Sequence, residues 1–467
     1  MAVTDQHPQY IAAKKSWQVM QDAVAGEEAI KLATTQYLSK SAGMVEAEKQ
    51  GDLTGDIYKG YVSRAQYPLW VQDSLRTMIG LVSKLNPEIN LPGNLMAGLS
   101  ENATNDGFGL KQLFIRVVLE LLEYGRCGLL VDVDGDGKPY FALYNALSII
   151  NWKENNVGGR RDLNLVVLEE QFENSEDEFS HSTKTVHRVL GLKDGSLNVR
   201  LFDGSAEQDK TPTLGSNSLS FTPFVFCGTT DNAPSVGTVP LLTMAKAALK
   251  YYQLSADYFQ SLHHTAHPQP WISGLGADDD VSVTGVMAAW LLPPEAKCGY
   301  LEIQGVGIDK TKAEMDAQKN AALEAGAKVI DTNMQESGEA RRARQEDQHA
   351  SLHSIVMCAA EAIEQAIKYA AQWLKLDPSK YTFSVKPEFS STAYDIELAK
   401  QLYEGAIAGK NSFQTYWEYI ATGNLPEHEY KDELKRVETE LTQMPLSGYQ
   451  PFNGVNDEQP GTPASNS

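Results

Sequence analysis

The chain has 467 residues, which at roughly 150 residues per domain leaves room for about three domains, and 42% hydrophobic residues are enough to build packed cores. Lys and Arg number 40 against 61 Asp and Glu, and the resulting formal charge of −21 excludes a basic protein that coats nucleic acid by neutralising phosphates. The longest apolar run near a helical segment, Val286 to Leu292, is far shorter than the ~20 residues of a membrane span, and Met1 to Lys15 lacks a signal-peptide core, so neither a membrane nor secretion is expected.

In chain order, Gln9 to Val24 and Leu69 to Leu85 carry apolar residues at helical spacing, and Asn86-Pro87 closes the second. After a polar loop containing Pro92-Gly93, Gly98 and Ser100 to Gly107, Leu110 to Tyr124 is the strongest early helix, ended by Gly125. The pattern then shifts to short β-rich pieces: Leu129 to Val131, Tyr140 to Leu143, Leu163 to Glu169, Thr185 to Leu190, Leu197 to Phe202 and Phe224 to Phe226. From Val239 the helical period returns and runs to about His267, where Pro268 and Pro270 stop it. Residues 268 to 308 read as a small β-rich excursion with a strand candidate at Gly299 to Val306. Ile308 to Ile330 reads as an Ala-, Lys- and Glu-rich helix, Asp331 to Gly338 as a polar loop, and Glu339 to Lys375 as one long helix without Gly or Pro. A strand follows at Thr382 to Val385. Helices follow at about Tyr394 to Ala408, Ser412 to Thr422 and Glu427 to Thr442, with Gly409-Lys410-Asn411 as a turn. The Gly- and Pro-rich end, Leu446 to Ser467, predicts disorder.

Few constellations carry chemistry. Cys127, Cys227, Cys298 and Cys358 have no Cys-x-x-Cys spacing and read as buried reduced thiols. Asp132 to Gly137 matches the start of a calcium loop, but its twelfth position is Leu143 rather than Glu, so an Asp-Gly hairpin turn is predicted instead. His263 and His267 lie four apart, with His264 between them, a spacing that can bind zinc; the competing reading is exposed histidines at a helix end. Phosphate-binding loop and nucleophile-elbow motifs are absent, and Glu418, Glu427 and Glu429 read as solvated carboxylates. Arg341, Arg342 and Arg344 open the long helix, where positive charge opposes the helix dipole. They call for acidic neighbours such as Glu336, Glu339 or Glu346, for a neighbouring subunit, or for a phosphate. No cofactor is expected.

Three stretches carry a resemblance: Tyr124-Gly125-Arg126-Cys127-Gly128-Leu129-Leu130-Val131-Asp132, Ile150-Asn151-Trp152 followed by Val157-Gly158-Gly159, and Leu165 to Glu170. With the order of helix, small β excursion, helix, polar loop and very long helix, the chain resembles the portal proteins of tailed bacteriophages over roughly residues 10 to 440. The resemblance implies a mixed α/β (α+β) subunit with a wing (1–238), a stem helix (239–266), a clip (267–308) and a second stem helix (309–330). It further implies a tunnel loop (331–338), a long helix with a wing return strand (339–392), a crown (393–445) and a disordered tail (446–467). Such subunits form rings, normally of twelve, at one capsid vertex of the virion. Their partners are terminase, the major capsid and scaffolding proteins, neck and tail adaptors, and the double-stranded DNA that passes through in packaging and ejection.

Twelve copies would carry roughly −250, an acidic wall that leaves DNA free to slide. Lys310, Lys312, Lys319 and Lys328 are candidates for the bore or for salt bridges between subunits. The loop Asp331-Thr332-Asn333-Met334-Gln335-Glu336-Ser337-Gly338 has no basic residue, so it reads as a passive polar collar rather than a DNA-gripping lever. The rival from another class is a metal-dependent hydrolase built on His263, His264 and His267. A neck adaptor is a further alternative, although it would not need the order of helix, loop and long helix.

Overall fold

The computed structural model describes residues 2–52, 54–157, 160–173, 179, 181–211, 219–266, 269–275, 295–301, 306–326, 338–387, 389, 396–422, 425–426, 428 and 430–443. They fall in two compact units, Met1–Pro387 and Glu388–Ser467, each described by itself. The expected disordered tail, 446–467, lies outside the described residues.

The first unit opens with helices. α1 (Pro8–Ala25) has Pro8 in its first turn, where no amide partner is lost, and buries Tyr10, Trp17, Met20 and Ala23 on one face. Three short helices follow that the hydrophobic pattern did not mark: α2 (Glu27–Leu32), α3 (Ala42–Gln50) and α4 (Asp56–Arg64). Ser41 caps α3 by accepting from Met44 N, and Asp52 caps α4 by accepting from the amides of Asp56 and Ile57. α5 (Trp70–Val82) is followed by β1 (Glu88–Asn90) and the one-turn α6 (Asn94–Ala97). α7 (Leu110–Tyr124) has the expected ends and buries Leu110, Leu113, Phe114, Val117, Val118, Leu121, Leu122 and Tyr124. Gly125 stops it with φ +71, and a Cβ there would stand 2.3 Å from the Thr238 carbonyl, so both conformation and space demand glycine.

Next come two antiparallel sheets. β2 (Arg126–Val133) and β3 (Pro139–Asn145) form a hairpin whose turn is held by Asp134 Oδ1, which accepts from the amides of Asp136 and Lys138. The Asp-Gly run is therefore a hairpin turn. β4 (Ile149–Val157), β5 (Arg160–Glu173), β6 (Thr183–Lys193), β7 (Ser196–Asp203) and β8 (Ala206–Asp209) pair in chain order as a five-stranded meander. β9 (Phe224–Gly228) returns to flank β2, giving the order β3-β2-β9. A half-buried polar knot joins the two sheets. Arg188 Nε donates to Glu170 Oε1 at 2.6 Å, Tyr144 Oη donates to the same oxygen at 2.5 Å, and Tyr140 Oη donates to Asp132 at 3.2 Å.

The rest of the unit is α8 (Leu242–Ala266), the ribbon strands β10 (Gln269–Ser273) and β11 (Lys297–Leu301), α9 (Val306–Glu324), α10 (Gly338–Trp373) and β12 (Thr382–Ser384), which pairs with β1. Two boundaries differ from expectation. The strand expected at Gly299 to Val306 is shifted toward the N-terminus, because Val306 already begins α9. The helix expected to reach Ile330 ends at Glu324, because Gly326 adopts φ +103 and its amide closes the last turn on Leu323. Cys127, Cys227 and Cys358 are buried free thiols as expected, but Cys298 is exposed because the two-stranded ribbon has too little bulk to cover it.

α10 is the spine of the unit. From Leu352 to Trp373 it buries residues on nearly every side, with Ala359, Ala360, Ala362, Ala366, Ala370 and Ala371 letting β2, β9, β12 and α7 approach closely. The second unit holds α11 (Ile396–Ile407), α12 (Phe413–Thr422) and α13 (Tyr430–Gln443). The start of α12 is held by carboxylates of α13: Glu433 accepts from Ser412 N at 2.7 Å and Glu440 from Phe413 N at 2.6 Å.

Candidate functional site

The candidate surface is the arm made by α8 and α9, with the start of α10. The first fifteen residues of α8 are rooted in the body, where Met244, Ala245, Ala248, Tyr252, Ser255 and Ala256 are buried. Its last five residues, Leu262 to Ala266, are all exposed. At 1.5 Å per residue the helix is roughly 37 Å long.

A row of polar contacts clamps α8 where it leaves the body. Tyr61 Oη on α4 donates to Asp257 Oδ1 at 2.5 Å, and Arg64 Nη1 donates to Gln260 Oε1 at 2.9 Å. Ser255 Oγ accepts from Gln66 N at 2.9 Å and donates to Gln66 O at 3.1 Å, while Gln253 Nε2 donates to Tyr37 O at 2.8 Å. Burial and the hydrogen bond to Asp257 push the Tyr61 phenol well above its ordinary pKa, so it remains a donor across physiological pH. These anchors leave no signature in the sequence. The i, i+3 pairs Tyr61/Arg64 and Asp257/Gln260 were visible, but nothing in one chain says that they meet.

α9 lies along α8 on a narrow seam. Ile308, Thr311, Met315, Gln318, Ala322 and Ala325 are buried or half-buried, and their alternate steps of three and four are those of a helix packed on one partner along one line. The outer side carries Asp309, Lys310, Lys312, Glu314, Asp316 and Glu324 in exposed positions. Lys310 and Lys312 are therefore free to face solvent or a neighbour. Lys319 is half-buried and, with Asp316, acts electrostatically on Tyr251 of α8; burial is the larger cause of that phenol's raised pKa. At 100° per residue Lys312 and Lys319 share one side of the helix and Lys310 the other, so the three do not form one row. Lys328 lies outside the described residues.

Of the polar collar, Asp331, Thr332, Asn333, Met334, Gln335, Glu336 and Ser337 lie outside the described residues, and Gly338 is the first residue of α10. Arg341, Arg342 and Arg344 fall on the opening turns of α10, and their side chains are outside the described residues. A cavity of about 420 Å³ opens where α9 ends, lined among others by Met78, Leu122, Thr238, Gly326, Ser351 and Ile355.

His263 and His264 sit at the exposed end of α8, with ring centroids 5.9 Å apart, and His264 Nε2 lies 2.7 Å from Gln260 Nε2. His267 lies outside the described residues. Among the described residues no group of three or more His, Cys, Asp or Glu could hold a metal ion. No helix of the described residues is long and apolar enough to cross a membrane.

A family described as a domain of unknown function, DUF4055, matches residues 240–374, the stretch from the start of α8 to the end of α10. No curated protein matches the chain. Among solved structures, a chain of the virion of a native gene transfer agent particle is similar at 13% identity and TM-score 0.40, covering 76% of this chain and 90% of that one. A chain of the neck of an empty gene transfer agent particle is similar at 13% identity and TM-score 0.39, covering 85% of this chain and 98% of that one.

Proposed function

We propose that the chain is a structural subunit of a phage-type virion, and more closely a portal subunit that assembles into a ring at one capsid vertex and passes double-stranded DNA. The observation that carries the reading is the arm. Two helices joined through a small ribbon leave a compact mixed body, packed on each other along a single seam, and the chain then returns through a 36-residue helix into the core. A helix with one packed side and a charged outer side of both signs is suited to stand next to a copy of itself. Lys310 and Lys312 would meet Asp309, Glu314, Asp316 or Glu324 of a neighbour, while the surplus of acid keeps the bore from gripping DNA. Terminase, the capsid and scaffolding proteins and the neck or tail adaptors are the partners of such a ring. In this reading the chain is structural rather than catalytic, and the ATP hydrolysis that drives packaging comes from terminase.

Negative-stain imaging and sedimentation of the purified full-length chain test the proposal. Closed rings, of about twelve copies by the resemblance, are the expected result; a monomer at every concentration with no ring in the images overturns it. The hydrolase reading rests only on the histidine spacing. It predicts bound zinc that is lost, together with activity, in His267→Ala.

A further inference from the structure

The segment before α1 crosses the outer edge of the five-stranded sheet. His7 N donates to the Ile150 carbonyl at 2.9 Å, and Asn151 Nδ2 donates to the Asp5 carbonyl at 2.8 Å. Ile150 sits at the irregularity of the β4–β5 ladder between Ile149 and Asn151, on the first strand of the sheet, and this strap covers that edge. The His7 imidazole lies nearly flat on the Trp152 indole, with centroids 3.9 Å apart and planes at 19°. The Arg126 guanidinium is also 3.9 Å from the Trp152 ring centre, and 4.4 Å from that of Phe226. Two groups that close to one ring cannot share a face, so His7, Trp152 and Arg126 form a three-layer stack. Arg126 is 1% exposed, and its three guanidinium nitrogens have no hydrogen-bond partner among the described residues.

The indole face by itself would welcome a cation, but its other face already carries Arg126, and the cap, the helix start and the burial of the ring all favour a neutral imidazole. His7 Nδ1 accepts from Gln9 N at 3.2 Å and so caps α1, a bond that a proton on Nδ1 abolishes. The helix start carries partial positive charge of its own. The charged group facing the imidazole from the sheet is Arg126, across one ring. Among the described residues no carboxylate lies within ion-pair distance of His7, and Asp5 in the strap is turned back to accept from Ala2 N at 3.1 Å. Burial, and then Arg126, hold the His7 pKa below its ordinary value.

We propose that residues 2–7 are an acid-released strap, in which protonation of His7 detaches the segment from β4 and uncovers the sheet edge together with the Trp152–Arg126 stack. The docked imidazole binds a proton less readily than the free one. The strap therefore holds fully above about pH 6.5 and loosens as the pH falls below that value. This inference does not depend on ring assembly.

Hydrogen exchange of the full chain between about pH 7.5 and about pH 5, corrected for intrinsic rates, tests it. Peptides spanning residues 2–12 are expected to lose protection severalfold in acid while those of α7 keep theirs. His7→Asn retains a cap without titrating, and His7→Phe retains the aromatic stack without titrating; both are expected to abolish the acid response. An unchanged strap in the parent chain, an acid response surviving in either variant, or opening of α7 in step with the strap overturns the proposal.

Discussion

Glu120 stands on α7 with its Oε2 enclosed and without a hydrogen-bond partner among the described residues, one turn from Glu123. Burial, and secondarily the neighbouring Glu123, push its pKa up to about 8, while Glu123 is raised to about 7 by burial alone. A carboxyl that titrates near 4.3 in the unfolded chain and near 8 in the folded one favours folding when protonated. Its contribution is complete below about pH 4.3 and is lost as the pH rises through about 8. Glu120→Gln should match the parent near pH 4 and exceed it by on the order of 2 kcal/mol near pH 9. Urea unfolding at the two pH values measures the difference, and equal curves at high pH would show that the side chain is solvated there.

At the scale of elements, the joint between α7 and β2 is the most constrained backbone site described. Any side chain at Gly125 meets both a left-handed φ and the Thr238 carbonyl. Gly125→Ala should cost about 2–4 kcal/mol by denaturant unfolding, more than an alanine placed in the middle of α7. The same glycine shows why some elements were legible in the sequence. α7 has eight buried residues at helical spacing, a glycine stop and no competing signal, so its ends could be read directly. α2, α3 and α4 run six to nine residues, too short for periodicity to stand out; α3 and α4 have only their caps at Ser41 and Asp52 as a signal, and α2 has no side-chain cap. β8 is exposed at all four positions and had no alternation to detect. The helix-favouring alanines on both sides of Gly326 predict a helix to Ile330, but the positive φ of that glycine ends the last turn of α9. The arm was legible as a pair of helices, but its anchors were not, because Tyr61, Gln66 and Tyr37 contact α8 across more than a hundred and eighty positions.

For the whole molecule, charge makes a claim that the proposed ring has to meet. A formal −21 per chain means that copies repel one another at long range and attract only where packed sides or opposite charges touch. Salt shortens the repulsion to about 8 Å at physiological strength and weakens exposed ion pairs less than it relieves the net field. Raising ionic strength from about 0.05 M to about 0.5 M should therefore increase the assembled fraction in sedimentation. Dissociation by salt instead would mean that the lysines of α9 dominate the contact between copies.

The clamp on α8 also makes a statement about inheritance. Tyr61 bonds Asp257 and Arg64 bonds Gln260, and both pairs are 196 positions apart. The two contacts share one spacing, so four codons are tied rather than two pairs of two. Among descendants of this gene they should mutate as a block, and a single codon inserted between 61 and 64, or between 257 and 260, would leave one pair at 196 and move the other to 197, so that the two bonds no longer share one register.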